Sequence, residues 1–407
     1  MHLYALPLAF ALTGLALYTV LGGADFGAGF WQLLAGRGRG ADELRDEAHH
    51  AMAPVWEANH VWLIFVLTVI WTAYPVAFGS IASTLSIPLF VAGIGIVLRG
   101  GAYVLRLATS TLREERRIDT VFAISSILTP FALGTVAGGI AAGRVHAGNP
   151  GGSVVTSWLN PTGITIGVLA VASSAYLAAV FLSGDAVRDG HVQLAERFRT
   201  RALATGVVAG AIAAAGVVVL RFDAHRLFSR LTHGQGLPAL AVSVVAGVAT
   251  MALVWRRRYE PARYTSALAV AATVAGWALA QEPQFLADLT VRQAAAGRET
   301  EVAVVVAVLA GGVILFPSLA LLFRLTLAGR LSPGAPATVA HPESPTAPVR
   351  GGRRSGRVAV ACLVAGIGFL TVADAGWAHA IGACAFLGFV ASGFRSLQEG
   401  IETAPDL

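Results

Sequence analysis

The chain has 407 residues, of which 56% are hydrophobic and 13% are charged, and its mean hydropathy is +0.68. Soluble domains carry about 25% charged residues, so this composition excludes an ordinary soluble protein and indicates an integral membrane protein. The net charge of +6 comes from 29 basic residues that are all arginine, and their place in predicted loops beside anionic lipid argues against a nucleic-acid partner.

Apolar runs of about 20 residues predict membrane-spanning helices, because a helix of that length crosses about 30 Å of hydrocarbon. The sequence contains nine such runs and then two shorter ones. The fold class is therefore predicted to be all-α and integral to the membrane, a polytopic bundle of about nine transmembrane helices plus a C-terminal helical hairpin. The runs lie near residues 3–22, 55–77, 82–104, 120–142, 162–183, 203–221, 237–255, 265–281 and 302–323, with the shorter pair near 358–374 and 378–394.

The distribution of arginine predicts the orientation of the bundle. With the N-terminus outside, 22 arginines fall in inside segments, 6 fall in outside loops and Arg99 lies within a span. Loops that carry an excess of arginine remain in the cytoplasm, so the N-terminus is predicted outside and the C-terminus in the cytoplasm. The first apolar run has no basic segment before it, which favours a retained helix over a cleaved signal peptide.

Composition divides the chain into four parts. A Pro/Ala/Ser-rich stretch after the ninth run is typical of a disordered linker, and it ends in a basic cluster. The predicted parts are a transmembrane body at 1–330, a disordered cytoplasmic linker at 331–357, the helical hairpin at 358–396 and a cytoplasmic tail at 397–407.

Two ionisable residues in the apolar body are candidates for chemistry, because charged groups are costly inside a bilayer. Asp25 lies in GGADFGAGF, which is expected just past the cytoplasmic end of the first span. It is either an acid in an interfacial loop or a carboxylate at the cytoplasmic mouth of a proton route. Arg99 either extends its guanidinium to the interface or pairs with Asp25 or Glu57.

A second group of candidates opens the second span, in PVWEANHVWLIF. Glu57 follows Pro54 in the first helical turn, so it either stabilises the positive end of the helix dipole or takes part in proton transfer. His60 lies on the same helix face, and an acid and an imidazole so placed can pass protons, although a lone histidine there can simply pack. Trp56 and Asn59 are supporting candidates that anchor the turn and bind backbone or partner groups.

The histidine and methionine positions provide no pair of haem ligands. Eight of the ten histidines fall in predicted loops or chain ends, and only His60 and His379 lie near span ends. Met251 is the one methionine well inside a span. No metal or haem ligands are therefore predicted, and any redox centre is expected to belong to a partner chain.

Three segments together, GGADFGAGF, APVWEANHVWLIF and TAYPVAFGS, resemble subunit II of the cytochrome bd quinol oxidases over about residues 1–330. The family combines a G-x-D-x-G-x-G segment with a P-x-W-[DE]-x-N-x-V-W-L motif. The resemblance implies a subunit of the bacterial plasma membrane that binds no haem itself. It pairs with a subunit I that carries haems b558, b595 and d, and the complex oxidises quinol outside and reduces O₂ to water with cytoplasmic protons.

The resemblance also implies roles for single residues. Glu57 matches the motif acid, where an aspartate is more familiar, and Asp25 matches the second aspartate of the glycine-rich segment. Trp62 matches the motif tryptophan near the proposed O₂ path. The sequence departs from the family at Gly22, where another aspartate is common, and this departure leaves part of the proton route open.

The chain beyond residue 330 exceeds the usual length of subunit II. From its length alone, we expect the hairpin to occupy a peripheral groove like those filled by small single-helix accessory subunits. Binding of a quinone or lipid to this chain stays open.

Two other functions are consistent with the composition. A transporter usually has broken helices around a site at the midplane, whereas the polar clusters here are predicted only near the cytoplasmic edge. A purely structural membrane partner would use Glu57 and Asp25 only for capping and packing. Haems b and d that co-purify with the chain from its native membrane would indicate the oxidase, and a colourless preparation would indicate one of the alternatives.

Overall fold

The computed structural model of the chain describes residues 2–34, 56–106, 112–148 and 152–327, together with scattered residues between 358 and 392. The chain forms two compact units, residues 1–322 and 323–407. The first unit opens with a 3₁₀ turn (Leu3–Ala5), has a π-helical segment (Tyr18–Gly22) and carries a two-stranded antiparallel hairpin of β1 (Gln284–Leu286) and β2 (Leu289–Thr290). The helices are α1 (Leu6–Leu17), α2 (Gly23–Leu33), α3 (Trp56–Ala73), α4 (Pro75–Thr84), α5 (Ser86–Arg106), α6 (Leu112–Ala141), α7 (Pro161–Arg188), α8 (Val192–Asp223), α9 (His225–His233), α10 (Leu237–Trp255), α11 (Tyr259–Gln281), α12 (Val291–Ala294) and α13 (Arg298–Leu327).

The helices have the length and composition of membrane spans. Within the described residues, six helical segments are long and apolar enough to cross a bilayer, or seven when the bent pair of α3 and α4 is counted as one span. The predicted all-α membrane bundle is confirmed, whereas the count of nine spans is not.

The first span extends further than predicted. Its end was expected at residue 22, but the chain stays helical through the π-helical segment and α2 as far as Leu33, so that prediction is wrong. The glycines that seemed to end the helix instead permit close packing. A Cβ atom on Gly27 would lie 1.8 Å from the backbone oxygen of Ser174, so only glycine allows α2 to approach α7 this closely.

The second predicted span is broken at Tyr74. Helix α3 ends one residue earlier, Pro75 begins α4, and the two helix axes differ by 119°, so the prediction of one span over 55–77 is wrong. Proline cannot donate the backbone hydrogen bond that would continue α3, and it disfavours helical geometry in the residue before it. The Tyr74 side chain is fully buried, and its hydroxyl donates to the Tyr4 carbonyl at 2.5 Å and accepts from the Leu8 amide at 3.0 Å. The bend is thereby fixed to the start of α1.

Helix α7 lies at the centre of the first unit, where it packs against α2, α6, α8 and α11. Its buried face is built from small residues, with Ala175, Ala178 and Ala179 each at most 1% exposed. Phe198 of α8 fills the adjoining space and is fully buried. The small side chains bring the neighbouring helices close to α7, and this close packing positions the side chains of the candidate site.

The segment before α7 is irregular, as its Gly/Ser/Asn/Pro content predicts. The described part begins with Gly143 and Gly148 at φ values of 68° and 70°, a backbone region that favours glycine. The Ala287 amide in the β-hairpin donates to the Val145 carbonyl at 3.2 Å. This hydrogen bond joins the irregular segment to the turn between β1 and β2.

The described residues beyond 327 are all helical, and they fall in both arms of the predicted hairpin. A Cβ atom on Gly388 would lie 3.2 Å from the Cys362 sulfur, so residues of the two arms are in contact. Cys362 and Cys384 are free thiols. The predicted linker at 331–357 and tail at 397–407 lie outside the described residues, and the hairpin stays a prediction.

Candidate functional site

Asp25 and Arg99 form a buried ion pair between α2 and α5. The Arg99 Nη2 atom donates to Asp25 Oδ1 at 2.7 Å and to the Asp25 carbonyl at 3.0 Å. The two side chains are 2% and 0% exposed. The predicted pairing of Arg99 with Asp25 is thus confirmed. Placement of Asp25 in an interfacial loop is wrong because the helix continues past it, and extension of Arg99 to the interface is wrong because its guanidinium is enclosed.

The guanidinium of Arg99 is held from several sides. Its Nη1 atom donates to the Ser126 hydroxyl of α6, and Ser126 in turn donates to the Phe122 carbonyl at 2.6 Å. The guanidinium carbon lies 4.9 Å from the ring centroid of Phe26 and 4.3 Å from that of Phe122, within the range of cation–π attraction. Desolvation of a buried cation is expensive unless it is paired and hydrogen-bonded, and these contacts supply both.

The sequence of α5 presents Arg99 on its buried face. Five residues at spacings of three and four form that face, as expected for one side of a helix that packs against a neighbour. They are Pro88, Ala92, Gly95, Arg99 and Ala102. A Cβ atom on Gly95 would lie 2.3 Å from the Thr129 hydroxyl of α6, so this glycine lets α5 and α6 approach one turn away from the ion pair.

Tyr18 extends the cluster through the π-helical segment. Its ring stands edge-on to Phe26 at a centroid distance of 6.3 Å, and Phe26 in turn lies 4.9 Å from the guanidinium carbon of Arg99. A Cβ atom on Gly22 would lie 3.2 Å from the Tyr18 ring, so the ring occupies the space into which a side chain at position 22 would extend. The Tyr18 hydroxyl and Asp25 Oδ2 are buried without a hydrogen-bond partner among the described residues.

Helix α3 contributes Asn59 and His60 to the same region. Asn59 is 1% exposed, and its Nδ2 atom donates to the Leu21 carbonyl of the π-helical segment at 3.2 Å. Its Oδ1 atom is buried without a partner in the described part of the chain. His60 follows Asn59 in α3, and in its protonated form it would attract the Asp25 carboxylate. The structure therefore brings together Asp25, Arg99, Asn59 and His60, which the sequence had placed on three separate segments.

The remaining predicted residues lie on α3. Glu57 is one helical turn before His60 in that helix, and the side chains of Glu57 and Trp56 are outside the described residues. Trp62 is half-buried and stands edge-on to Phe65 at a centroid distance of 6.3 Å. Phe65 in turn packs against Gly14 of α1.

Sequence reasoning missed Tyr18 and Ser126. Tyr18 lies seven residues before Asp25, two helical turns away on the same face, and this spacing carries information only if the helix continues through Gly22. Because the helix was predicted to end at Gly22, the sequence did not place Tyr18 and Asp25 on one helix face. No local signal distinguishes Ser126, because its contact with Arg99 depends on how α5 and α6 pack.

The cluster consists of groups that can donate and accept hydrogen bonds. Within the described residues, no group of three or more His, Cys, Asp or Glu side chains is placed to hold a metal ion. Among the described residues, Asp25 Oδ2, the Tyr18 hydroxyl and Asn59 Oδ1 are instead buried without a hydrogen-bond partner. Buried polar groups of this kind commonly bind internal water, which can complete a chain of hydrogen bonds.

Comparison with known proteins identifies similar chains. The model of the family described as cytochrome bd terminal oxidase subunit II matches residues 3–326. The chain is 32% identical over 117 residues to the cytochrome bd ubiquinol oxidase subunit 2 of Bacillus subtilis strain 168, covering 28% of this chain and 33% of that relative. It is 25% identical over 227 residues to the cytochrome bd-I ubiquinol oxidase subunit 2 of Escherichia coli strain K12, covering 53% and 57%. The matched segments thus span about a third and somewhat over half of these two relatives.

A solved structure has a similar fold. A chain of the bd oxidase from Geobacillus thermodenitrificans superposes with a TM-score of 0.62 at 23% sequence identity. The match covers 81% of this chain and 99% of that one. At this identity the likeness concerns the fold.

Proposed function

The chain belongs to the cytochrome bd terminal oxidase subunit II family, and from this we propose that it acts as the non-haem subunit of a quinol-oxidising, O₂-reducing complex. Haems b558, b595 and d reside in a partner subunit I, which oxidises quinol and reduces O₂ to water. The chain lies in the bacterial plasma membrane as nine spans, with its N-terminus outside and its C-terminus in the cytoplasm.

Within that complex, we assign the buried cluster to proton uptake from the cytoplasm. The observation that carries this proposal is the Asp25–Arg99 pair, because Asp25 keeps one buried oxygen without a hydrogen-bond partner among the described residues. Proton transfer requires donors and acceptors within hydrogen-bond reach or one water apart. Glu57 opens the route one turn before His60, and His60 passes the proton to Asp25. Arg99 holds Asp25 in place, and Asn59 holds α3 against the π-helical segment.

Tyr18 compensates for the missing acid at position 22. Family members often have an aspartate where Gly22 stands, and here the Tyr18 ring occupies the corresponding space. The Tyr18 hydroxyl is both a donor and an acceptor, it is buried, and it lacks a partner in the described part of the chain. Water bound between this hydroxyl and Asp25 Oδ2 continues the relay.

Trp62 and its neighbours form part of an apolar path for O₂. Trp62 packs edge-on against Phe65, and Gly14 lies beside Phe65. This apolar packing supports the assignment because O₂ is apolar and partitions into apolar regions. The C-terminal hairpin covers a groove of the complex in the manner of a small accessory subunit.

One observation favours a transporter, namely the 119° break between α3 and α4. Broken helices in transporters surround a polar substrate site. Here Tyr74 fixes the break to the start of α1, and the ionic cluster involves the other end of α3, so the break serves the packing of the bundle.

The experiment is to co-express the chain with subunit I and to measure haem content and quinol-driven O₂ consumption of the purified complex. We expect haems b and d in the preparation. Tyr18→Phe and Asp25→Asn should each slow turnover by about tenfold or more while haem content stays normal. Asp189→Asn, which changes an exposed acid at the end of α7, is the matched control and should keep full turnover.

Two results would contradict the proposal. A colourless preparation would show that the chain is not a subunit of a haem-bearing oxidase. Normal turnover in both cluster variants would leave the cluster with a structural role only.

A further inference from the structure

Arg201 is a half-buried cation near the first turns of α8, at the end of the bundle that the arginine distribution assigns to the cytoplasm. Its guanidinium carbon lies 5.2 Å from the ring centroid of Trp31 and 5.6 Å from that of Phe198. Its Nη1 atom is buried and has no hydrogen-bond partner in the described part of the chain. A buried donor left without an acceptor costs free energy, so the described residues do not fully satisfy the Arg201 guanidinium.

Other arginines at this end of the bundle do have acid partners. Arg188 contacts Glu260 at 2.7 Å, and Arg199 pairs with Glu196. Arg263 likewise pairs with Asp185.

Arg201 differs from these arginines. Among the described residues it has no carboxylate within ion-pair distance. The charged side chain that acts on it is Arg197, which carries the same sign. Two neighbouring cations repel each other, and an anion bound at the accessible part of the Arg201 side chain would relieve this repulsion.

The rings beside Arg201 form a rigid support. Trp31 is 6% exposed, and its indole nitrogen donates to the Ala175 carbonyl of α7 at 2.9 Å. Phe198 is fully buried. Helices α2 and α8 both pack on α7, so the guanidinium rests on rings from two helices. An arginine held against fixed rings loses little freedom when it binds a ligand.

We propose that Arg201 binds the phosphate oxygens of an anionic phospholipid headgroup in the cytoplasmic leaflet. A guanidinium presents paired N–H groups that match phosphate oxygens, and anionic headgroups accumulate at that surface. The predicted span begins at residue 203, which places Arg201 at the boundary between headgroups and hydrocarbon. Further along α8, Val207 and Val208 are 65% and 52% exposed and provide an apolar surface for the acyl chain. The inference relies on the proposed orientation and is independent of the proton route.

The chain has one competing anion source of its own. Residues 35–55, which follow α2, contain four acids at 42, 43, 46 and 47 and lie outside the described residues. The same segment also contains three arginines at 37, 39 and 45. Those arginines offset most of its negative charge, which favours the lipid as the occupant.

The test uses the purified two-subunit complex, stripped of lipid in mild detergent. Phosphatidylcholine vesicles with and without phosphatidylglycerol are added, and so is inorganic phosphate alone. The readouts are the thermal unfolding midpoint and the number of phosphatidylglycerol molecules retained in native mass spectrometry. The variants are Arg201→Gln and Arg201→Lys, and the matched control is Arg256→Gln, an exposed arginine at the same end of the bundle.

Phosphatidylglycerol should raise the midpoint of the parent complex and of Arg256→Gln, and Arg201→Gln should retain one lipid fewer. Arg201→Lys should keep part of the effect, because it retains the charge but loses the paired donors, and it serves if the glutamine variant fails to assemble. Equal lipid retention in the parent complex and both Arg201 variants would overturn the proposal. So would an equal response to pure phosphatidylcholine or to inorganic phosphate. If neutralising the four acids at 42–47 lowered the midpoint as much as Arg201→Gln does, while lipid retention stayed equal in all variants, Arg201 would be assigned to the chain's own acids and the proposal would likewise be overturned.

Discussion

The Nδ2 atom of Asn59 donates a hydrogen bond of 3.2 Å to the carbonyl of Leu21, which lies in the π-helical segment four residues before Asp25. A π-helical turn shifts the backbone hydrogen-bond pattern, and such turns are frequent at functional sites. This contact ties the first turns of α3 to the helix that carries Asp25. It explains why an amide stands where a membrane helix begins, and it holds the helix that carries His60 against the helix that carries Asp25.

Gly27 is the glycine at which substitution should harm the bundle most. A methyl group in Gly27→Ala would meet the Ser174 backbone at 1.8 Å, and backbone atoms cannot move aside cheaply. Overpacking typically costs about 1–3 kcal/mol, and this contact should reach or exceed that range. Thermal unfolding of the purified complex measures the effect. Gly210→Ala in α8 is the control, since no atom lies within 4 Å of its added Cβ, and a midpoint equally low in both variants would contradict the packing argument.

Tyr74→Phe should destabilise the junction of α3 and α4. The hydroxyl bonds to the Tyr4 carbonyl and the Leu8 amide, and its removal leaves both partly buried groups without this partner. The expected loss is about 1–3 kcal/mol, the usual cost of a buried polar group without a partner. Tyr264→Phe is the matched control because Tyr264 is 75% exposed. Equal unfolding midpoints in the two variants would show that the hydroxyl does not hold the bend.

Asp25 and Arg99 should show strong coupling in a double-mutant cycle. Asp25→Asn or Arg99→Gln alone leaves a buried charge without its partner and should cost about 3–5 kcal/mol, whereas the double variant should cost much less than the sum. The exposed pair of Arg188 and Glu260, with side chains 58% and 57% exposed, should show coupling of only about 0–1 kcal/mol. Chemical unfolding of the complex provides the free energies. Additive losses at Asp25 and Arg99 would contradict the buried pair.

The sequence was informative about Arg99 because an unpaired charge within an apolar helix is energetically unfavourable, and few arrangements of the side chain avoid that penalty. A buried arginine needs an acid, and only Asp25 and Glu57 were expected at its depth. The sequence was misleading at Gly22 and at Tyr74. Glycines end a helix in water, but in a membrane bundle they also let backbones touch, as Gly27 does. At Tyr74, the apolar run continues without interruption, so hydropathy gave no sign of the helix break. Pro75 and the hydrogen bonds of the Tyr74 hydroxyl to Tyr4 and Leu8 determine that break.

The contacts of Tyr18 and Ser126 could not be predicted for a different reason. Each depends on the relative rotation of helices far apart in the chain, and composition does not determine that rotation. The residues of the cluster were therefore predictable as costly groups, whereas their mutual geometry required the packed bundle.

The central claim is that the buried cluster supplies protons to the haem-bearing partner. Its most direct test is the rate of proton uptake from the cytoplasmic side during a single turnover of the reduced complex in vesicles, followed with a pH-sensitive dye. Glu57→Gln should slow this uptake by about tenfold or more with normal haem content, while the exposed-acid variant Glu299→Gln should match the parent complex. Uptake at the parent rate in Glu57→Gln would contradict the account.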